Sequence, residues 1–146
     1  MDSLSGNILI VESSYYEDIT GALIEGASRT LEAAEKSIER ITVPGVFEIP
    51  AAIQFAWNEM YFDGCVTLGC VIRGETDHYE YVSNEAANGI AEASRSTGIP
   101  VIFGVLTTNT VEQAINRSGE KQSNMGYTCG INAIEMANLV HDIKML

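Results

Sequence analysis

The stretch Val66–Val82, V-T-L-G-C-V-I-R-G-E-T-D-H-Y-E-Y-V, restricts the fold more than any other part of the chain. It opens as an unbroken apolar run, the pattern of a strand covered on both faces, and such strands belong to parallel sheets with helices on either side. The run stops at Arg73-Gly74 and restarts at Asp77-His78-Tyr79-Glu80, where Asp77 with Glu80 three residues on reads as a helix capping box. A buried strand thus delivers the chain to a polar turn, and a helix departs from it. Backbone N–H groups and the positive dipole end of such a helix point at whatever lies over the strand end, which favours an anion. Arg73, Asp77, His78 and Glu80 crowd into this turn. It is the first candidate for a reactive site.

The rest of the chain repeats the alternation. Asn7–Glu12 is apolar enough for a central strand, and Ser13–Asp18 forms a polar turn holding Tyr15 and Tyr16. Ile19, Leu23, Ala27, Leu31 and Ala34 recur at helical spacing. Ile38–Val43 is a weaker, more polar strand suited to an edge, and Pro44-Gly45 ends it in a turn. Ile49, Ile53, Ala56 and Met60 make a second helix; Val82, Ala86, Ile90 and Ala93 make a third that ends near Gly98. Pro100–Leu106 reads as a fourth strand, and Thr107–Thr110 supplies the cap of a short helix through Val111, Ala114 and Ile115. Beyond Gly119 and a polar loop, Ile131, Ile134, Ala137 and Leu139 mark a terminal helix. Buried strands alternating with amphipathic helices predict one α/β domain over 1–146, a parallel sheet covered on both faces. Ligands of such sheets sit outside the carboxyl ends of the strands.

Charge narrows the ligand class. A formal net charge of −12 argues against nucleic acid and against acidic membrane surfaces, since binding to either rests on Lys and Arg. An anionic small molecule then needs a local exception, which makes Arg73, Arg117 and Lys121 notable among the basic residues. No apolar run reaches membrane-spanning length, and Met1–Gly6 lacks the basic and apolar regions of a secretion leader, so a cytoplasmic location is expected. Cys65 and Cys70 would face opposite sides of one strand, and with Cys129 they read as buried small hydrophobes. His78 and His141 fit no metal-ligand spacing, so no metal is expected. Dinucleotide, P-loop and nucleophile-elbow motifs are missing.

Taken singly, the candidate residues have plain structural readings. His78 is as well read as a solvated surface residue as a proton-transfer group, although a helix start favours the neutral, basic imidazole. Tyr15 and Phe47 are aromatics that commonly finish a core, or a stacking wall for a flat heterocycle. Arg117 either compensates a helix dipole or grips phosphate with its planar fork. Glu48 either favours its helix start or hydrogen-bonds a polyol. Their convergence on one sheet edge is what points to a small-molecule site.

The segments V-P-G-V-F-E-I-P (Val43–Pro50), L-G-C-V-I-R-G-E-T-D-H-Y-E-Y-V (Leu68–Val82), P-V-I-F-G-V-L-T-T (Pro100–Thr108) and E-Q-A-I-N-R-S-G (Glu112–Gly119) resemble the lumazine synthase family, in order and over nearly the whole chain. Ile19–Ala27 and Ala133–Ala137 fit as well. The resemblance implies a flavodoxin-like three-layer α/β/α sandwich with a mainly parallel four-stranded sheet. It implies condensation of 5-amino-6-(D-ribitylamino)uracil with 3,4-dihydroxy-2-butanone 4-phosphate in riboflavin biosynthesis, without metal or organic cofactor. By the same resemblance His78 transfers protons, and Gly74, Glu75, Thr76 and Arg117 surround phosphate. Val46, Phe47 and Glu48 lie beside the ribityl chain, Val71 and Ile72 lie near the pyrimidine, and Tyr15 stacks on its ring. Phe103 and Arg117 would come from a neighbouring subunit of a homopentamer or a pentamer-based shell. Three departures stand out: Tyr15-Tyr16 in place of R-F-N, Asp77 where the family has proline or threonine, and Met125 where lysine is common. Asp77 and Met125 keep open a second reading, an assembly or ligand-binding homologue with weak or no turnover. A flavin-binding module is a third, and it leaves His78 and Arg117 without tasks.

Overall fold

The computed structural model describes residues 6–146, so the expectation of a missing leader, which rests on Met1–Gly6, lies almost wholly outside the described residues. The elements run β1 (Asn7–Ser13), α1 (Glu17–Ala33), β2 (Ser37–Val43), α2 (Ile49–Glu59), β3 (Gly64–Ile72), α3 (His78–Thr97), β4 (Val101–Thr108), α4 (Val111–Asn116) and α5 (Met125–Lys144). Short 3-10 turns at Val46–Glu48 and Lys121–Ser123 precede α2 and α5.

All four strands are parallel, in the order β2-β1-β3-β4. Parallel strands need crossover helices, and alternate side chains send the apolar residues of β1 and β3 to opposite faces. Leu9, Val11 and Cys65 pack under α2 and α3, against Ile49, Ile53, Ala86 and Ile90. Ile8, Ile10, Val66 and Leu68 pack under α1 and α5, against Leu23, Leu31, Cys129 and Ala133. The result is the three-layer sandwich that the sequence predicts. Its strand order is that of flavodoxin-like sheets as far as the fourth strand, and its direction of winding reverses between β1 and β3.

β2 lies on an edge as expected, and its inner neighbour holds it by a polar pairing. Glu12 of β1, 3% exposed, accepts from Arg40 Nε at 2.7 Å and Nη2 at 2.5 Å, and from Thr42 Oγ1 at 3.1 Å. This two-pronged grip stabilises the charged guanidinium, and it moves Arg40 up from its ordinary value against the opposing effect of burial. All three cysteines are free and buried, with Cys65 and Cys70 on opposite faces.

Two expectations change. Thr107 and Thr108 are not cap residues but the last residues of β4, paired with Val71 and Ile72. The cap of α4 is Thr110 alone. The terminal helix also begins well before Ile131, at Met125, because Asn124 closes it: Asn124 Oδ1 accepts from Tyr127 N–H at 3.1 Å. The Asn124 amide in turn donates to Ala22 O and Gly119 O, each at 2.9 Å, tying α1 to α5. Gly98 ends α3 in the left-handed conformation, φ 75°, where a side chain would be strained. Among the described residues no helix is long and apolar enough to cross a membrane.

Candidate functional site

The carboxyl ends of β1, β2 and β3 open onto a cleft of about 770 Å³. It straddles the point between β1 and β3 where the winding reverses, the place where open α/β sheets bind ligands. Three turns build its walls.

The first turn leaves β1. Ser13, 1% exposed, accepts Tyr15 N–H on Oγ at 3.1 Å, while Ser14 N–H donates to Val43 O at 2.9 Å. Tyr16 sits in the left-handed region (φ 56°, ψ 59°) immediately before α1, and its ring meets that of Tyr15 edge to face, centroids 4.9 Å apart. Burial raises the Tyr16 phenol above its ordinary pKa, with Tyr15 and Cys70 adding to the effect.

The second turn leaves β2. Gly45 is extended, and Val46–Glu48 form a tight 3-10 turn closed by Glu48 N–H to Gly45 O at 3.1 Å. Val46 is buried against β3. A Cβ on Gly69 would stand 2.5 Å from Val46 Cγ1, so only glycine lets this turn lie flat on the strand. Phe47 and Glu48 are then left facing outward, Phe47 with 53% of its surface exposed.

The third turn leaves β3, and here the expected capping box fails. Asp77 makes no side-chain bond to the helix. His78 N–H instead donates to Thr76 Oγ1 at 3.3 Å, and Glu80 turns back toward Arg73, 3.6 Å away. Arg73 is the brace of this loop: its N–H donates to Thr108 O at 2.8 Å, its Nε donates to Asn109 Oδ1 at 3.0 Å, and its guanidinium lies 4.5 Å from the centre of the Tyr79 ring. Asp77 itself has helical backbone angles, φ −73° and ψ −1°, where a capping residue is extended, so its side chain does not close the helix start. From this exposed loop, Gly74, Thr76 and His78 line the cleft.

Tyr15, Val46, Phe47, Glu48, Val71, Ile72, Gly74, Thr76 and His78 all line this one cleft. Glu75 belongs to the same loop but is not part of the lining, and Phe103 and Arg117 are absent from it within one subunit. Phe103 sits on the outer edge strand β4, 41% exposed. Arg117 follows α4, its carbonyl accepting Met125 N–H at 2.8 Å. Among the described residues the ion pairs engage Arg29, Arg40, Arg73 and Arg95, so Arg117 is the one arginine with no acidic partner. Lys121 borders a separate, smaller hollow of about 290 Å³ beside α1 and Asn124, away from the cleft lining. Met125 is half-buried against the α1/α5 core and does not take up the role of a surface cation.

Sequence reasoning missed Cys70, Tyr79, Tyr81 and Val82 in the lining. Tyr81 and Val82 stand three and four residues after His78, so helical spacing placed them on the histidine's face. Cys70 was read as a buried hydrophobe. It is one, 2% exposed, its thiol pushed up to about 11 by burial, and it also forms part of the cleft floor as an uncharged group.

Fold and cleft together define a doubly wound parallel α/β protein with a cleft at its strand ends. Residues 5–141 match the family described as 6,7-dimethyl-8-ribityllumazine synthase. The chain belongs to that family, which ties it to riboflavin biosynthesis.

Proposed function

We propose that this protein is a transferase that condenses 5-amino-6-(D-ribitylamino)uracil with 3,4-dihydroxy-2-butanone 4-phosphate, releasing phosphate and water. The observation that carries the reading is the convergence on one cleft of nine residues assigned to ring, ribityl chain, phosphate and proton transfer, from Tyr15 and Phe47 to Thr76 and His78. Tyr15 offers a face for the pyrimidine, while Val71 and Ile72 bound its edge. Glu48 accepts hydrogen bonds from ribityl hydroxyls beside Phe47. Gly74, Glu75 and Thr76 receive the phosphate from the loop side, with backbone N–H groups as donors.

The reaction forms a bond from the pyrimidine amine to the ketone carbon. Loss of water leaves a Schiff base, the phosphate leaves, and the ribityl-bearing nitrogen closes the second ring on the remaining carbonyl with loss of a second water. His78 moves protons for these steps from the first turn of α3. Proton transfer and the positioning of two reactants are the contributions assigned to this chain's side chains.

The unpaired Arg117 and the exposed Phe103 complete the site from a neighbouring subunit, in a homopentamer or a shell built of pentamers. A lone subunit is then inactive. The alternative, a homologue that assembles and binds ligand without efficient turnover, is motivated by Asp77, an exposed residue beside the phosphate loop whose side chain does not cap the helix. Mixing the purified protein with both substrates and following lumazine absorbance separates the two. Product at a rate well above the uncatalysed condensation supports the enzyme; saturable ligand binding without product supports the alternative. Sedimentation of the same sample reads the assembly.

A further inference from the structure

Three described non-glycine residues have positive φ: Tyr16 at 56°, Glu35 at 61° and Lys121 at 48°. Glu35 and Lys121 have flexible, unbranched side chains at a helix end and in a loop. Tyr16 is the aromatic one, and a bulky residue in this region is a real outlier. The backbone there is fixed from both sides, whatever the side chain. Tyr15 N–H is held by Ser13 Oγ, Thr20 Oγ1 donates to Tyr15 O at 3.2 Å, and Thr20 N–H donates to Tyr16 O at 3.0 Å. The turn from β1 into α1 therefore demands a left-handed residue, for which asparagine or glycine is the unstrained choice. A tyrosine kept in such a position points to a task for its ring.

That ring is placed to do one. Tyr15 is 64% exposed and Tyr16 38%, both line the cleft, and the rings meet at an interplanar angle of 78°. Tyr16 is the inner member of the pair, next to Cys70. An edge-to-face neighbour restricts the otherwise free ring of an exposed tyrosine. We infer that Tyr16 is a positioning residue for heterocycle binding: its ring, held in a strained backbone conformation, fixes the Tyr15 ring as a preformed stacking platform for a flat ribitylated heterocycle. This rests on the function proposed above.

The test compares Tyr16→Asn, Tyr16→Phe and the unaltered protein in three measurements: thermal midpoint, affinity for riboflavin by fluorescence quenching, and KM for each substrate. Riboflavin serves as a stable, flat, ribitylated probe. Tyr16→Asn should keep or raise the midpoint, because asparagine accepts the left-handed region. It should also weaken riboflavin binding and raise the KM for the ribitylaminouracil by about three- to tenfold, the worth of an edge-to-face aromatic pair. The KM for the butanone phosphate should stay put, and Tyr16→Phe should behave as the unaltered protein. Tyr16→Gly, which also tolerates a positive φ, repeats the comparison should Tyr16→Asn not fold. Undiminished riboflavin affinity in Tyr16→Asn overturns the inference, as does equal weakening in Tyr16→Phe, which would shift the role to the hydroxyl. A lowered midpoint with both KM values rising together overturns it too, by making Tyr16 a purely structural residue. An unaltered protein that binds riboflavin but condenses nothing sinks the proposed reaction, while the riboflavin comparison still decides the role of Tyr16. Failure to bind either heterocycle overturns both.

Discussion

Two helices, α3 and α4, start at the same end of the sheet after adjacent strands, and they start differently. At α4, Thr110 Oγ1 accepts Gln113 N–H at 3.1 Å and Gln113 Oε1 accepts Thr110 N–H at 3.3 Å, a reciprocal closure of two backbone donors. At α3, the sequence offers an equally plausible pair, Asp77 and Glu80, and neither caps the helix. Glu80 lies 3.6 Å from Arg73, and Gly74, Thr76 and His78 stay exposed on the cleft. The difference separates a helix start closed by its own side chains from one that lines the cleft. Local rules that fail at one place and hold beside it mark functional sites. The closed helix still has a part, because Arg117 directly follows it.

The largest expected effect lies at the open start. His78→Ala should lower kcat about a hundredfold, toward the lower end of what positioned acid–base groups contribute, with assembly unchanged by sedimentation. An unchanged rate would remove the imidazole from the mechanism and reduce α3 to a mere binding wall. Next comes the far end of the closed helix. Arg117→Ala should raise the KM for the butanone phosphate about tenfold through loss of charge-assisted bonds to phosphate, with little change for the pyrimidine substrate. Steady-state kinetics in each substrate checks it, and an effect confined to the pyrimidine would refute the phosphate role. Third, Thr110→Ala should cost about 1 kcal/mol, the usual worth of an N-cap, and leave KM values alone. Thermal denaturation at fixed protein concentration reads this as a drop of about 3 °C. A KM change without a stability loss would mean that α4 is not the inert partner in the comparison.

How far these features were legible in the sequence follows from what each depends on. The buried strands were plain because Ile8–Val11 and Cys65–Leu68 need apolar side chains on both faces, and burial of that kind is written in composition. Gly98 and Thr110 were legible because a left-handed stop and an N-cap are local demands that few residues meet. The gathering of Tyr15, Phe47 and His78 followed from the strand-end rule once the strands were placed. The fate of Asp77 was not legible, because it turns on the backbone angles that the loop between β3 and α3 adopts, not on residue type. Nor was the length of β4: Thr107 and Thr108 look like turn residues, and pairing with Val71 and Ile72 makes them strand. The apolar sequence of β4 likewise does not distinguish an inner strand from an outer one, and Phe103 on that edge is exposed. Family resemblance assigns Phe103 and Arg117 to a neighbouring copy, which the periodicity of a single chain does not reach.

The smallest effect gives the sharpest test of the contrast between the two helix starts. If Asp77 capped α3 as Thr110 caps α4, Asp77→Ala would cost a similar ~1 kcal/mol. With no side-chain bond to lose, it should instead change stability by no more than about 0.3 kcal/mol, within the range of ordinary surface substitutions. Its carboxylate is exposed and stands next to the loop assigned to phosphate, in a chain of net charge −12. Removing one negative charge there should lower the KM for the butanone phosphate, and solvent screening limits the gain to about twofold. The gain should shrink as salt is added, since the two charges act through water. A midpoint that falls as far as in Thr110→Ala would mean that α3 is capped in solution after all, and that its start is no more open than that of α4. A stable Asp77→Ala protein with an unaltered KM would leave the helix start open and move the phosphate away from it.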